Sequence, residues 1–538
     1  MSQSVFGRRE LFTGTAAVVG AALAGSAPAS AATRTTDTAE PFLLGVASGD
    51  PLPDGIVLWT RLVRDAFDAK SMPARPVTVD WQIAEDERFR RVARAGTTAA
   101  HPELAHSVHV DVRGLRPGRE YFYRFRVGTH LSPVGRTRTA PAAFADLDRL
   151  RLGVVSCQDF QNGYWPAYLG LAEEDLDVVL HLGDYIYEYD PRSRFADRNH
   201  TVPQTPGLDQ LRTLEDYRNR HAQYKGDPAL RRAHAAVGWI SAWDDHDVEN
   251  NYAGLIDEAE DTGSRRQTPE EFVRQRAAGY QAYYEHMPLR AAARPGASGL
   301  RIYRRFDFGR LVRLNLLDTR QYRTDQPGRS PNDLGLEPPG ASNTAGTLTG
   351  AEQERWLTDN LTRSHAGWNV IAQQIMMART RFPNPIPPHM PPTVVNLDQW
   401  DGYQPQRERL LRLLTQARVT NPVFLAGDVH STWINELKPN FDDPDSPNVA
   451  VEFVGTSISS EFPGEGTYDA LIKQHNPRLN PHVRYFDGLK RGYLRCEVDR
   501  ESWRTDVRVV DTIWTREAPT KTAASFAVEA GRPVIVQP

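Results

Sequence analysis

A chain of 538 residues exceeds the roughly 250–300 at which one hydrophobic core usually stops growing, so more than one core is expected. With 40% apolar and 25% charged residues, it fits neither a disordered nor a fibrous protein. A net charge of -4, with arginines scattered among acids, provides no nucleic-acid-binding surface.

The amino terminus reads as an export signal. Arg8-Arg9 precedes an Ala-rich apolar run from Leu11 to Ala24, and Ala29-Ser30-Ala31 offers small residues for cleavage, so residues 1–31 are assigned as a signal peptide. The arginine pair points to the twin-arginine route, which carries proteins already folded, and to a secreted or cell-wall location. The run is too short and too rich in Ala and Gly to span a core of ~30 Å, so no transmembrane anchor is expected. Two cysteines, Cys157 and Cys496, exclude a disulfide framework and leave a single bridge open.

Residues 40–140 are predicted to form a small β-sandwich of the fibronectin III or Ig-like kind. Ile56–Trp59, Val77–Trp81, Val108–Val112 and Tyr121–Val127 are β-rich with polar alternation, and the longest helical stretch is near Glu85–Ala93. Leu115-Arg116-Pro117 ahead of Tyr121 resembles the tyrosine corner of fibronectin type III domains. After Ala140-Pro141-Ala142-Ala143, a linker, the rhythm changes. Strands at Leu152–Ser156, Val178–Leu182, Trp239–Trp243, Leu311–Leu317, Trp368–Ala372 and Val423–Ala426 alternate with helices near Pro166–Glu174, Pro269–Tyr284, Ala351–Arg363 and Pro405–Gln416. That alternation predicts a layered α/β catalytic core over 150–515, with sheets flanked by helices and ligands at strand ends. Pro383–Pro392 reads as a surface loop, and 516–538 as a C-terminal tail.

Four strands end in clusters of potential metal ligands: Cys157-Gln158-Asp159, Gly183-Asp184-Tyr185-Ile186-Tyr187, Asp244-Asp245-His246-Asp247 and Gly427-Asp428-Val429-His430. One such ending is ordinarily a cap or turn residue, whereas four in one domain point to a metal centre. Hard carboxylate oxygens suit Ca²⁺, Mg²⁺ or Fe³⁺, and a thiolate and a phenolate add affinity for trivalent iron. Two cations held ~3.5–4 Å apart can clamp an ester and activate water for displacement at phosphorus.

Ser156-Cys157-Gln158, His181–Tyr187, Trp243–Asp247, Leu317–Arg320, Gln373-Gln374 and Gly427–His430 occur in the order seen in the alkaline phosphatase D family, which the chain resembles over nearly its whole mature length. The blocks also look like a variant of those of purple acid phosphatases and the wider metallophosphoesterases. The resemblance implies an α/β metallophosphoesterase core that hydrolyses phosphate monoesters and diesters at an Fe³⁺/Ca²⁺ centre. Cys157 and Tyr187 would bind iron, Asp184 would bridge, Asp245 and Asp428 would hold calcium, and His430 would complete the iron site or lie against it. His246 would serve the leaving oxygen or orient Asp245. Arg320 would fork a phosphate or pair with Asp318. Gln373-Gln374 stands where purple acid phosphatases place a histidine, so that ligand is in doubt. Cys496 reads as a strand residue.

A phospholipase D acting on phospholipid head groups is the competing enzyme reading, and teichoic acid is a further conceivable diester. A surface-binding protein with a degenerate core is disfavoured, because degeneration should have removed at least one carboxylate. A monomer is expected.

Overall fold

The computed structural model describes residues 40–538 except 67, 69, 190–209, 258–266, 291–298, 328–333, 337–343, 385–392, 444 and 465. The signal segment 1–31 and most of the Pro-rich loop lie outside the described residues.

Two large sheets face one another. One has ten strands, in the order Arg532–Val536, Thr520–Glu529, Ser502–Val510, Arg491–Val498, Leu150–Val155, Val178–Leu182, Trp239–Ala242, Val46–Leu52, Gly55–Arg61, Ser107–Arg113. The other has seven, in the order Arg304–Phe308, Val312–Leu316, Trp368–Ala372, Pro422–Ala426, Ala450–Val454, Thr432–Leu437, Val483–Asp487. Side chains alternate along a strand, and here each face has its own core. Val178, Leu180 and Leu182 point between the sheets, where they meet Leu314, Val370, Val423 and Phe453. Val179 points outward to Tyr168 and Leu171 of the helix Pro166–Glu173, to Leu230 of Pro228–Ala236 and to Tyr283 of Pro269–His286. Across the molecule, Ile371 and Phe424 meet Leu357 of Gly350–Thr362 and Leu411 of Gln404–Gln416. The order is helix, sheet, sheet, helix.

The central strands run parallel in each sheet: Leu150–Val155 beside Val178–Leu182 beside Trp239–Ala242 in one, and Val312–Leu316 through Trp368–Ala372 and Pro422–Ala426 to Ala450–Val454 in the other. Parallel neighbours end together, so residues that follow them gather at one edge.

The amino-terminal β segment is arranged differently from a closed module. Val77–Ala84, Val92–Ala100, Glu120–Val127, His130–Leu131 and Gly135–Arg138 form a five-stranded sheet. It packs through Val79, Ile83 and Phe125 onto Ile56, Leu58 and Val110. Those partners sit on Gly55–Arg61 and Ser107–Arg113, which join the rest of the ten-stranded sheet through Val46–Leu52, where Gly49 stands opposite Trp239. A Cβ at Gly49 would lie 2.6 Å from the Trp239 carbonyl oxygen, so only glycine permits that approach. The tyrosine corner is present, since the Tyr121 hydroxyl accepts the Arg116 N–H at 2.9 Å.

Two expectations are corrected. Residues 516–538 are no tail, because Thr520–Glu529 and Arg532–Val536 close one side of the ten-stranded sheet. The stretch near Glu85–Ala93 is a turn leading into the strand Val92–Ala100. The two cysteines are both free and buried: Cys496 faces the inter-sheet core, and Cys157 lies at the strand-end edge.

Candidate metal centre

The edge where the parallel strands end collects all four predicted clusters. Cys157 follows Leu150–Val155, Asp184 follows Val178–Leu182, Asp245 follows Trp239–Ala242, and Asp428 follows Pro422–Ala426 of the facing sheet. The site therefore lies between the two sheets.

Three ligand groups result, each with its donor atoms within 4.8 Å of one another: Cys157, Asp184 and His430; Asp184, Asp245 and His246; Asp244, Asp245 and Asp428. Asp184 belongs to two of them, as does Asp245. The Tyr187 hydroxyl donates to Asp184 Oδ2 at 3.1 Å, lies 3.1 Å from His430 Nε2, and accepts from Ser460 Oγ at 2.7 Å. Cys157, Asp184, Tyr187, Asp245, His246, Asp428 and His430 are all brought to this place.

The backbone aims these side chains at a cost. Cys157, Asp184, Asp428 and His430 all adopt left-handed conformations, with φ of 57°, 53°, 65° and 51°. Such values are uncommon outside glycine and cluster at functional sites. Between two of the clusters, Gly183 has φ of 109°, and a Cβ there would lie 2.3 Å from that of Asp244. Glycine thus lets the loops carrying Asp184 and Asp244 touch. Asp247 fastens the same two loops, accepting the N–H groups of Tyr185 at 3.1 Å, Ile186 at 3.3 Å and Asp244 at 3.0 Å.

Arg320 is fully buried and surrounded by carboxylates. Its guanidinium donates to Asp244, to both oxygens of Asp398 at 2.8 Å and to Asp428 Oδ1 at 2.9 Å, and lies 3.3 Å from Asp245. Neither sequence reading of Arg320 describes this. The fork is spent on protein carboxylates, and from Arg320 the Asp318 carboxylate receives the backbone N–H, at 3.1 Å, and not the guanidinium. Gln373 and Gln374 take structural partners: Gln373 accepts from Trp400 at 3.0 Å, and Gln374 binds Thr319 and the Leu317 carbonyl. Sequence reasoning assigned nothing to Asp398, to Gln399, which donates to Asp428, or to Ser460. Each sits in a loop with no periodic signal.

Burial and mutual repulsion dominate the electrostatics. The Asp184 carboxyl is pushed well up by burial and then by Asp245. Asp428 is pushed up to about 6 by burial, against the pull of Arg320. Burial also acts upward on Asp245, yet Arg320 and His246 hold it below the usual carboxylate range. The Cys157 thiol is pushed well up by burial and Asp184, and the His430 ring is brought down to about 4 by burial. His246 lies well above its usual value, because Glu188 and then Asp245 outweigh the burial of the ring.

The donors fit a bound cation. Asp184 Oδ1 is buried with no hydrogen-bond partner, as is Asp245 Oδ1, which lies 3.3 Å from the Arg320 guanidinium. Buried acceptors left in this way are costly, and a metal ion satisfies them. A thiol, a phenol, a histidine and several carboxylates converging on such oxygens offer both soft and hard donors.

Two family models match the chain: PhoD-like phosphatase over residues 152–507 and PhoD-like phosphatase, N-terminal domain, over residues 26–141. The chain is 45% identical over 494 residues to alkaline phosphatase D of Bacillus subtilis (strain 168), covering 91% of this chain and 81% of that protein. A solved structure of PhoD superposes with a TM-score of 0.83 at 43% identity, over 93% of this chain and 92% of that one. The match spans both the strand-end clusters and the β segment ahead of them, and the chain accordingly belongs to the PhoD-like phosphatases and is itself a phosphatase.

Proposed function

We propose that the protein hydrolyses phosphate monoesters and diesters with a water molecule at an iron and calcium centre between the two sheets. The observation that carries this reading is the sharing of Asp184 by two ligand groups, with Oδ1 buried and unsatisfied. Cys157 and Tyr187 would hold Fe³⁺, with His430 completing the set or lying against it. Asp184 would bridge, and Asp245 and Asp428, joined by Asp244, would hold Ca²⁺. When bound, the cations supply Lewis acidity and lower the pKa of water.

The chain's own residues position the reactants. Arg320 holds Asp244, Asp245 and Asp428 together, and His246 stands beside Asp184 and Asp245 as proton donor to the leaving oxygen. Export through the twin-arginine route accompanies this reading, since a folded protein leaves the cell with its metals in place. Among the described residues, no helix is long and apolar enough to cross a membrane.

The test is turnover of p-nitrophenyl phosphate and bis(p-nitrophenyl) phosphate by purified protein whose iron and calcium are measured in the same sample. Metal-loaded protein that cleaves neither ester refutes the proposal. Choline release from phosphatidylcholine, without phosphate release from the monoester, would establish the phospholipase D alternative.

A further inference from the structure

We propose that Glu188 is a positioning residue of the phosphatase reaction: it clamps the His246 ring so that Nδ1 keeps its proton and Nε2 faces the leaving oxygen. The inference rests on the reading of His246 as proton donor in ester hydrolysis. Glu188 directly follows Tyr187 in the chain and is fully buried. Its Oε2 lies 2.8 Å from His246 Nδ1, and its Oε1 accepts the Asn250 N–H at 2.8 Å. A carboxylate can only accept, so Nδ1 must donate.

The backbone on either side of Glu188 is pinned. Arg220 donates to the Tyr187 carbonyl and, at 2.9 Å, to that of Tyr189, while the Glu188 carbonyl accepts the Leu211 N–H at 3.0 Å. The imidazole stacks on Tyr187 at 4.2 Å between centroids and meets the edge of Tyr189 at 5.2 Å. Two aromatic rings fix its plane, and Glu188 fixes its rotation within that plane. A ring nitrogen of His246 comes within 4.8 Å of carboxylate oxygens of Asp184 and Asp245, on the side of the candidate centre. As the bond from phosphorus to the ester oxygen breaks, Nε2 gives its proton to that oxygen. Water forms the new bond to phosphorus, and a proton from that water returns to Nε2, so the step balances. A carboxylate orienting a functional histidine through its other nitrogen is a general device.

The experiment compares wild type with Glu188→Gln across esters from p-nitrophenyl phosphate, whose leaving oxygen needs no proton, to an alkyl phosphate, whose oxygen does. Expected is a fall in kcat of at least about 10²-fold for the alkyl ester and under about tenfold for the nitrophenyl ester, with KM and metal content kept. On the alkyl ester, Glu188→Gln combined with His246→Asn should be no slower than His246→Asn alone. Equal losses across the series, or additive losses in the double variant, would overturn the assignment. If Glu188→Gln does not fold, Glu188→Asp, which keeps the charge and withdraws the oxygen, is read by the same criteria. Wild-type protein that cleaves no phosphate ester would instead refute the proposed function.

Discussion

Asp184→Asn gives the sharpest test of the shared carboxylate, because its effect should change sign with metal. At the backbone the exchange is neutral: φ is 53°, and asparagine visits that region readily. The Tyr187 hydroxyl can still donate to the amide oxygen. Without metal, the substitution removes one charge from a pair whose oxygens lie within 4.8 Å. Two unit charges at that separation repel by about 3.5 kcal/mol at an effective dielectric of about 20. Burial already pushes the Asp184 carboxyl toward its neutral form, so the recoverable part is smaller. The metal-free variant should therefore melt at least as high as metal-free wild type. With metal the order reverses, because an amide bridges cations poorly. The loaded variant should lose one metal and at least about 10³-fold in rate, equivalent to about 4 kcal/mol. Calorimetry with and without chelator, elemental analysis and turnover measure all three. A metal-free variant that melts below metal-free wild type, or a loaded variant that keeps its metals and rate, refutes the reasoning.

Cys157→Ala should lose iron and the visible absorption that a thiolate and a phenolate give Fe³⁺, whereas Cys496→Ala, which empties a core position, should keep both; a visible spectrum and an iron assay separate them. EGTA should abolish turnover, and Ca²⁺ should restore it better than Zn²⁺, so undiminished rate after chelation would reject the calcium assignment. Arg320→Met leaves Asp244, Asp398 and Asp428 without their shared cation and should lower stability by about 3–5 kcal/mol in chelated protein, less when metal is bound; denaturant melts under both conditions measure the difference.

The site was legible because it sits at the ends of strands whose buried apolar runs are the clearest signals in the sequence. Val178–Leu182 and Trp368–Ala372 have the predicted bounds, and the polar residue after such a run stands out. Asp398 and Glu188 carried no comparable sign. Each is an acid in an irregular segment, and only tertiary folding brings Asp398 against Arg320 and Glu188 against His246. Strand partners were equally hidden. Alternation predicts that Gly55–Arg61 is a strand but not that its sheet runs on to Trp239–Ala242, because pairing is decided by residues far apart in the chain. Thr520–Glu529 passed for a tail because small and polar residues dominate it, as suits a strand near the rim of a sheet.

The crossing at Gly49 bears on how separable the two matched regions are. The family models divide the chain between residues 141 and 152, yet the ten-stranded sheet runs through that division. Asp50, next to the crossing, binds Arg304 of the facing sheet at 2.8 Å, and the Trp59 indole donates to the Glu285 carbonyl at 3.0 Å. A chain beginning near residue 150 would leave Trp239–Ala242 with an open row of backbone donors and acceptors, the kind of edge that templates aggregation, on the strand that leads directly to Asp245. The amino-terminal segment therefore acts as the sheet's own cover.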